Sequence, residues 1–292
     1  MRSDSDAAAP ELMGERDVHA TEAVQDHFSR DAEYWDAIYE STDDVAGHVY
    51  RERLERALRY VDEADLEAGA LATDVGTGAG LAAVALAGRG FKVLAVDSTE
   101  RMLELTRERA ARFEVAVEVC RADATALPAP DESQDLVLAL GLLPWVDDTP
   151  AVLREFRRVL KPTGRLVVTA DNRWRLNELF DPALSAPLTD VRRRARPILR
   201  ALRGGRPSSF EVHRHSQYEL AQLLAAEGFL VTNSSTVGFG PFTFMRRGVL
   251  NGARGRALSD WLERRTQGSR FLARMGVHVV VMASVSRTQD AR

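Results

Sequence analysis

Asp74, Gly76, Gly78, Gly80 and Asp97 are the residues whose types and spacing point most directly to chemistry. Glycines at two-residue intervals let the backbone approach a ligand closely. A helix starting inside such a turn offers unpaired N–H groups and a positive dipole end to an anionic group. Asp97 stands about 20 residues beyond the first glycine, the placement of a carboxylate that accepts hydrogen bonds from ribose hydroxyls in dinucleotide folds. The set therefore reads as half of a nucleotide site. Its spacing is not the dinucleotide one, because the residue three beyond Gly78 is Leu81 and the third glycine is Gly80. An acid, Asp74, stands two residues ahead of the first glycine.

Positioning these groups takes a strand, a turn, a helix and a strand. Leu71 to Val75 is a short, mostly apolar run suited to a buried parallel strand. Ala82 to Ala87 lacks helix breakers and ends near Gly88 and Gly90. Lys92 to Val96 is a second strand with Asp97 at its tip, and a right-handed crossover sets the two tips side by side.

The alternation continues downstream. Ser98 or Thr99 caps a helix running to about Arg112, with Met102, Leu103 and Leu105 apolar. Val115 to Cys120 and Asp135 to Leu140 give the third and fourth strands, the latter followed by GLLPWVDD. Thr149 caps a helix with Pro150 at its first position, and LKPTGRLVVTADN supplies a loop and the fifth strand. Ser216 to Glu219 is a capping box opening a helix that ends at Gly228. Phe229 to Val237 and Gly276 to Val285 are the last two strands of this α/β pattern.

The stretch DVGTGAG with Asp97 downstream resembles motif I of the class I S-adenosylmethionine-dependent methyltransferases, of the type with a ubiquinone- or menaquinone-methyltransferase-like core. RADATALPAPDESQDLVLAL resembles that family's adenine-contacting stretch, and VLKPTGRLVV one of its structural stretches. The resemblance implies a Rossmann-like, seven-stranded, mostly parallel sheet with helices on both faces and the last strand antiparallel. It implies S-adenosyl-L-methionine as cofactor. Asp74, Gly76, Gly78 and Gly80 would hold its methionine end and Asp97 its ribose, with Thr77, Ser98 and Met102 also among the cofactor-binding residues. Asp123 would face the adenine amino group and Ala124 the ring edge. Leu140 ends the fourth strand beside the cofactor, next to Gly141, Leu142 and Trp145. The N-terminal segment is either a helical cap packed on the sheet or a lid over the cofactor, and as a lid it would let Tyr34, Tyr50 and Arg53 reach the cofactor's carboxylate end. A tight turn closing a βα unit also explains the glycines, and an acid just after a strand is often a turn residue.

The composition is ordinary for a soluble globular chain: 292 residues, 45% apolar, 28% charged, net charge -4. That charge gives no reason to expect nucleic acid as a partner. The single cysteine, Cys120, excludes an internal disulfide and a cysteine-cluster metal site, and reads as a buried, inert thiol. No apolar run reaches the ~20 residues that span a bilayer, and the N-terminus has no signal pattern, so the expectation is a cytoplasmic protein without membrane contact.

The organisation expected is a disordered leader over 1–20, an N-terminal helical lid over 21–62, and a methyltransferase domain over 63–292 with an insertion at 173–214 shaping the acceptor pocket. Val24, Phe28, Tyr34, Trp35, Ile38 and Tyr39, then Tyr50, Leu54, Ala57, Leu58 and Val61, carry the helical spacing of that lid. Arg192, Arg193, Arg194 and Arg196 in the insertion read as a solvated helix face or as attraction for an acidic acceptor. Phe239, Phe242 and Phe244 read as an apolar pocket wall in preference to a satellite core. His48, His213 and His215, with Asp171 and Asn172, are the candidates for a general base, and no spacing suggests a metal. The expected function is methyl transfer to oxygen, nitrogen or carbon of a small molecule. Nucleic-acid or protein methylation, and non-catalytic cofactor binding, are the alternatives.

Overall fold

The computed structural model describes residues 24–26, 28–38, 44–185, 212–245 and 247–286. The expected leader and the insertion's arginines, Arg192 to Arg196, lie outside them, as does Tyr39. Residues 24–26 and 28–30 are helical ahead of α1 (Ala32–Ala37), and α2 (Val45–Glu63) follows. The alternating core consists of β1 (Leu71–Val75), α3 (Leu81–Ala87), β2 (Lys92–Asp97), α4 (Glu100–Arg112), β3 (Val117–Arg121), β4 (Gln134–Ala139), α5 (Thr149–Val159) and β5 (Leu160–Asn172). After it come α6 (Leu176–Leu179), β6 (Arg214–His215), α7 (Gln217–Ala226), β7 (Phe229–Val237), the hairpin β8 (Phe242–Phe244) and β9 (Arg247–Leu250), α8 (Gly252–Thr266) and β10 (His278–Val285).

Seven strands lie in the order β3-β2-β1-β4-β5-β10-β7, and the two-residue β6 pairs with the tip of β5 as an eighth. β1 to β5 pair in parallel. β10 runs antiparallel to both β5 and β7. This is the mostly parallel sheet with an antiparallel last strand that the motif's family implies. The chain order reverses direction at β1, whose other neighbour is β4, so the crevice for a ligand opens beyond the C-terminal tips of those two strands.

Burial on both faces explains why the central strands read as unbroken apolar runs. Val137 and Ala139 pack on one side with Val152, Leu153 and Phe156 of α5 and Leu220 and Leu224 of α7. Leu136 and Leu138 pack on the other with Ala57 and Val61 of α2 and Ala83 and Leu86 of α3. One strand thus ties two helical layers together through its two-residue period.

Several local expectations are corrected. Asp148, not Thr149, is the N-cap of α5, its Oδ1 accepting the Ala151 amide at 2.9 Å, while Thr149 and Pro150 are already helical. Thr99 sits at the N-cap of α4 but caps nothing with its side chain; the Thr99 amide instead donates to Asp97 Oδ1 at 2.9 Å. Cys120 is only half-buried, because β3 is an outer strand of the sheet. Among the described residues no helix is long and apolar enough to cross a membrane.

Candidate active site

The three acids of the motif sit at the tips that the topology predicts. Asp74, within β1, is buried, and its Oδ2 accepts the Thr77 hydroxyl at 2.7 Å. Burial in this apolar setting, reinforced by the Asp97 charge, pushes Asp74 up to about 7. Asp97 ends β2 and reaches back to the glycine turn, where its Oδ2 accepts the Gly78 amide at 3.0 Å. Burial raises it too, against the opposing pull of its backbone amide partners. Asp123, past β3, spends one oxygen on its own turn: Oδ1 accepts the Thr125 amide at 2.8 Å and the Thr125 hydroxyl at 2.6 Å. It serves as a turn residue and still faces the crevice.

The glycines divide into two roles. At Gly78, φ is +55° and a Cβ would meet nothing within 4 Å, so its open side belongs to the crevice. At Gly80, φ is +78° and a Cβ would strike Thr106 at 2.8–2.9 Å, its backbone Cα included. Gly80 is thereby the left-handed N-cap of α3 that lets α4 pack close.

The crevice encloses a cavity of about 820 Å3. Asp74, Gly76, Thr77, Gly78, Asp97, Ser98, Met102, Asp123, Ala124 and Leu140 all line it, as do Tyr50 and Arg53 of α2. Gly80 does not. Gly141, Leu142 and Trp145 line it beyond β4, and the Thr169 hydroxyl on β5 fixes that turn by accepting the Gly141 amide at 2.8 Å.

Opposite the strand tips the wall is aromatic. Trp145 meets Phe28 edge-on at 5.1 Å between ring centroids, Phe28 lies 5.7 Å from Trp35, and Trp35 lies 5.8 Å from Tyr50. Tyr50 carries the Arg53 guanidinium over its ring at 4.9 Å and stands 5.5 Å from the ring of His278. The N-terminal helices and the β4 tip thus meet through Phe28, which its spacing places on a helix face, and Trp145, which the sequence places beyond the fourth strand.

The base candidates fare unevenly. Asp171 lines the cavity, with Arg175 Nη2 2.7 Å from its Oδ2. Burial pulls its pKa up, but His278 and Arg175 outweigh that and hold the carboxyl well below its ordinary range. His278, which sequence reasoning missed, is buried with Nδ1 3.3 Å from Asp171 Oδ1, and burial lowers it to about 4. Asn172 is committed to structure: its Nδ2 donates to the Arg274 and Gly276 carbonyls. His48, His213 and His215 do not line the cavity.

The phenylalanine wall is also corrected. Phe239 is fully buried with Leu262 and Met275, Phe242 packs on that cluster, and Phe244 is exposed. Phe239 and Phe242 belong to a satellite core under α8, where the Phe239 amide donates to Ser259 Oγ at 3.2 Å. The segment follows β7, the outer strand, and so emerges to the side of the β1–β4 crevice.

Residues 73–168 match the family model of a methyltransferase domain. A malonyl-[acyl-carrier protein] O-methyltransferase of Xylella fastidiosa is 31% identical over 165 residues, 55% of this chain and 53% of that protein. A demethylmenaquinone methyltransferase of Clavibacter sepedonicus is 43% identical over 102 residues, 35% of this chain and 41% of that one. The chain thus spans about half the length, or less, of these curated relatives. Among solved structures, magnesium protoporphyrin IX methyltransferase from Synechocystis PCC 6803 with bound SAH shares the fold, with TM-score 0.61, 16% identity, and coverage of 91% of this chain and 100% of the other. Sheet order, glycine motif and these likenesses agree that residues 73–168 carry a methyltransferase domain of the class I S-adenosylmethionine-dependent type.

Proposed function

We propose that the chain binds S-adenosyl-L-methionine along the tips of β1, β2 and β3 and transfers its methyl group to a small molecule held under the aromatic wall. One observation carries this reading: the glycine turn, Asp97 and Asp123 converge on the same cavity as Phe28, Trp35, Tyr50 and Trp145. At about 820 Å3 that cavity lies in the upper part of the range of about 300–1,000 Å3 usual for ligand pockets, room for a nucleoside cofactor and a modest acceptor together.

The residues present suit the cofactor. The Gly78 edge leaves space for a ligand against the backbone, and Asp97 offers its carboxylate to ribose hydroxyls. Arg53, a buried guanidinium on α2, is the counter-charge for a carboxylate, and the rings beside it favour a sulfonium cation by their negative faces. The leaving group is activated already, so alignment of the acceptor in a water-poor space supplies most of the acceleration, up to about 7–11 kcal/mol from proximity.

Asp171 and His278 bear on which acceptor fits. The first is held ionised and the second neutral, both well below neutral pH, so neither is tuned to remove a proton from an alcohol. The reading favours an acceptor that needs no strong base, such as an amine, a carboxylate or an activated carbon. Two relatives are named for different acceptors, malonyl-[acyl-carrier protein] and demethylmenaquinone, so likeness alone selects neither.

Calorimetry with S-adenosyl-L-methionine, its demethylated product and NAD tests the cofactor assignment. Binding of the first two and not the third is expected, and NAD binding in their place overturns it. A screen of small amines, carboxylates and phenols with methyl-labelled cofactor then identifies the acceptor class.

A further inference from the structure

Away from the cavity, α2 and α8 face each other through three side chains of metal-ligating type. His48 and Glu52 stand one turn apart on α2, and Asp260 projects from α8. His48 Nε2 lies 2.9 Å from Asp260 Oδ1 and 3.3 Å from Glu52 Oε1, and one ligand atom from each residue lies within 4.8 Å of the other two. None of the three lines the cavity.

The arrangement is not that of a hydrogen-bonded imidazole. Nε2 is shielded from solvent yet makes no hydrogen bond among the described residues, although an oxygen stands at 2.9 Å. Both oxygens therefore lie off the line along which the ring nitrogen would donate. Glu52 Oε2 is likewise buried without a hydrogen-bond partner. Ligand atoms around one ion, with bonds of about 2.0–2.2 Å and angles of about 90–110°, stand about 2.9–3.5 Å apart, with the ion on the nitrogen's lone-pair axis and the oxygens beside it. The two measured separations fall in that range.

Charge and packing agree. Glu52 feels the carboxylates of Glu263, Asp260 and Glu55 against one nearby guanidinium, Arg56. The helices are held close: a Cβ at Gly255 of α8 would strike Val45 Cγ2 of α2 at 2.6 Å.

We propose that His48, Glu52 and Asp260 bind a divalent transition-metal ion that pins α2 to α8. One imidazole and two carboxylates suit Zn2+ and its first-row neighbours, and because all three side chains keep some exposure, solvent completes the coordination. The ion is structural, since it sits behind the helix whose Tyr50 and Arg53 line the cavity. The site stands independently of methyl transfer.

The test uses the full, untagged chain stripped with chelator and titrated with ZnCl2, followed by calorimetry, and with CoCl2, followed by visible absorption. One equivalent of Zn2+ should bind, Co2+ should give the absorption bands of a low-coordinate site, and Zn2+ should raise Tm. His48→Ala and Asp260→Asn should each weaken binding more than about 100-fold, beyond the 10- to 100-fold typical of losing a mere supporting contact. Should His48→Ala unfold, the near-isosteric Glu52→Gln keeps the shape of the site and should lose both the Co2+ bands and the Zn2+-dependent rise in Tm. No saturable binding, or binding that survives these substitutions because the ion sits on other histidines, overturns the proposal. Cofactor binding measured on the same samples keeps this outcome separate from the methyltransferase reading.

Discussion

The Gly78 amide donates to the Asp97 carboxylate at 3.0 Å, so the acid at the tip of β2 holds the glycine turn of β1 in place before any ligand arrives. On the proposed reading Asp97 carries a second duty toward the cofactor's ribose, and a test of one must spare the other. Asp97→Asn keeps an acceptor for one of its two amide partners. We expect a folded variant by circular dichroism whose cofactor affinity falls about 10- to 100-fold, the equivalent of about 1.5–3 kcal/mol for a bond to a charged group. Parental affinity would remove Asp97 from the site.

Gly78 and Gly80 should fail in different ways. Gly80→Ala drives a methyl group into Thr106 and should cost about 1–3 kcal/mol of stability, read as a lower Tm. Gly78→Ala meets no protein atom, so its stability loss should stay near the ~1 kcal/mol of a left-handed alanine while cofactor binding falls steeply. Equal loss of binding at equal Tm would show that the two glycines do one job.

Asp74 sets a pH dependence. Its folded value of about 7 lies above the ordinary 3.8, so its contribution to stability is complete below about 3.8 and is lost as pH rises to about 7. The loss is on the order of a few kcal/mol at about 1.4 kcal/mol per unit. Asp74→Asn has no charge to bury, so the ligand-free variant should gain on the parent between pH 4 and 7. Denaturant titrations at pH 5 and pH 8 measure that gain, and an identical difference at both values refutes it.

His278 acts in the opposite sense. Burial lowers it from 6.5 to about 4, so its contribution is present above about 6.5 and is lost as pH falls toward 4. His278→Asn should flatten the parent's acid-side loss of stability across that window. An unchanged slope would mean that the imidazole titrates as it does in the unfolded chain.

The legible parts of this molecule are local ones. The glycine turn, Asp97 and the capping box of α7 each occupy one short stretch, whose residue types dictate their own geometry. What was not legible depends on lateral order. Phe239 to Phe244 reads as a pocket wall because β7 ends at the right level, but β10 and β5 stand between it and the crevice. His278 opens a run of valines that reads as a buried strand, and only the antiparallel register that sets it opposite Asp171 gives the ring its partner. His48 and Asp260 lie on helices far apart in sequence, and neither helix's period hints at the other.

The place of β10 also constrains the order in which the molecule can be made. Synthesis delivers β5 and β7 first, and until β10 enters between them each presents an unpaired edge. The pairing of β1 with β4 needs neither β7 nor β10, whereas the Tyr50–His278 contact exists only after that insertion. A nascent chain can thus complete the glycine-turn half of the crevice while the opposite side is still open, and the enclosed space forms last.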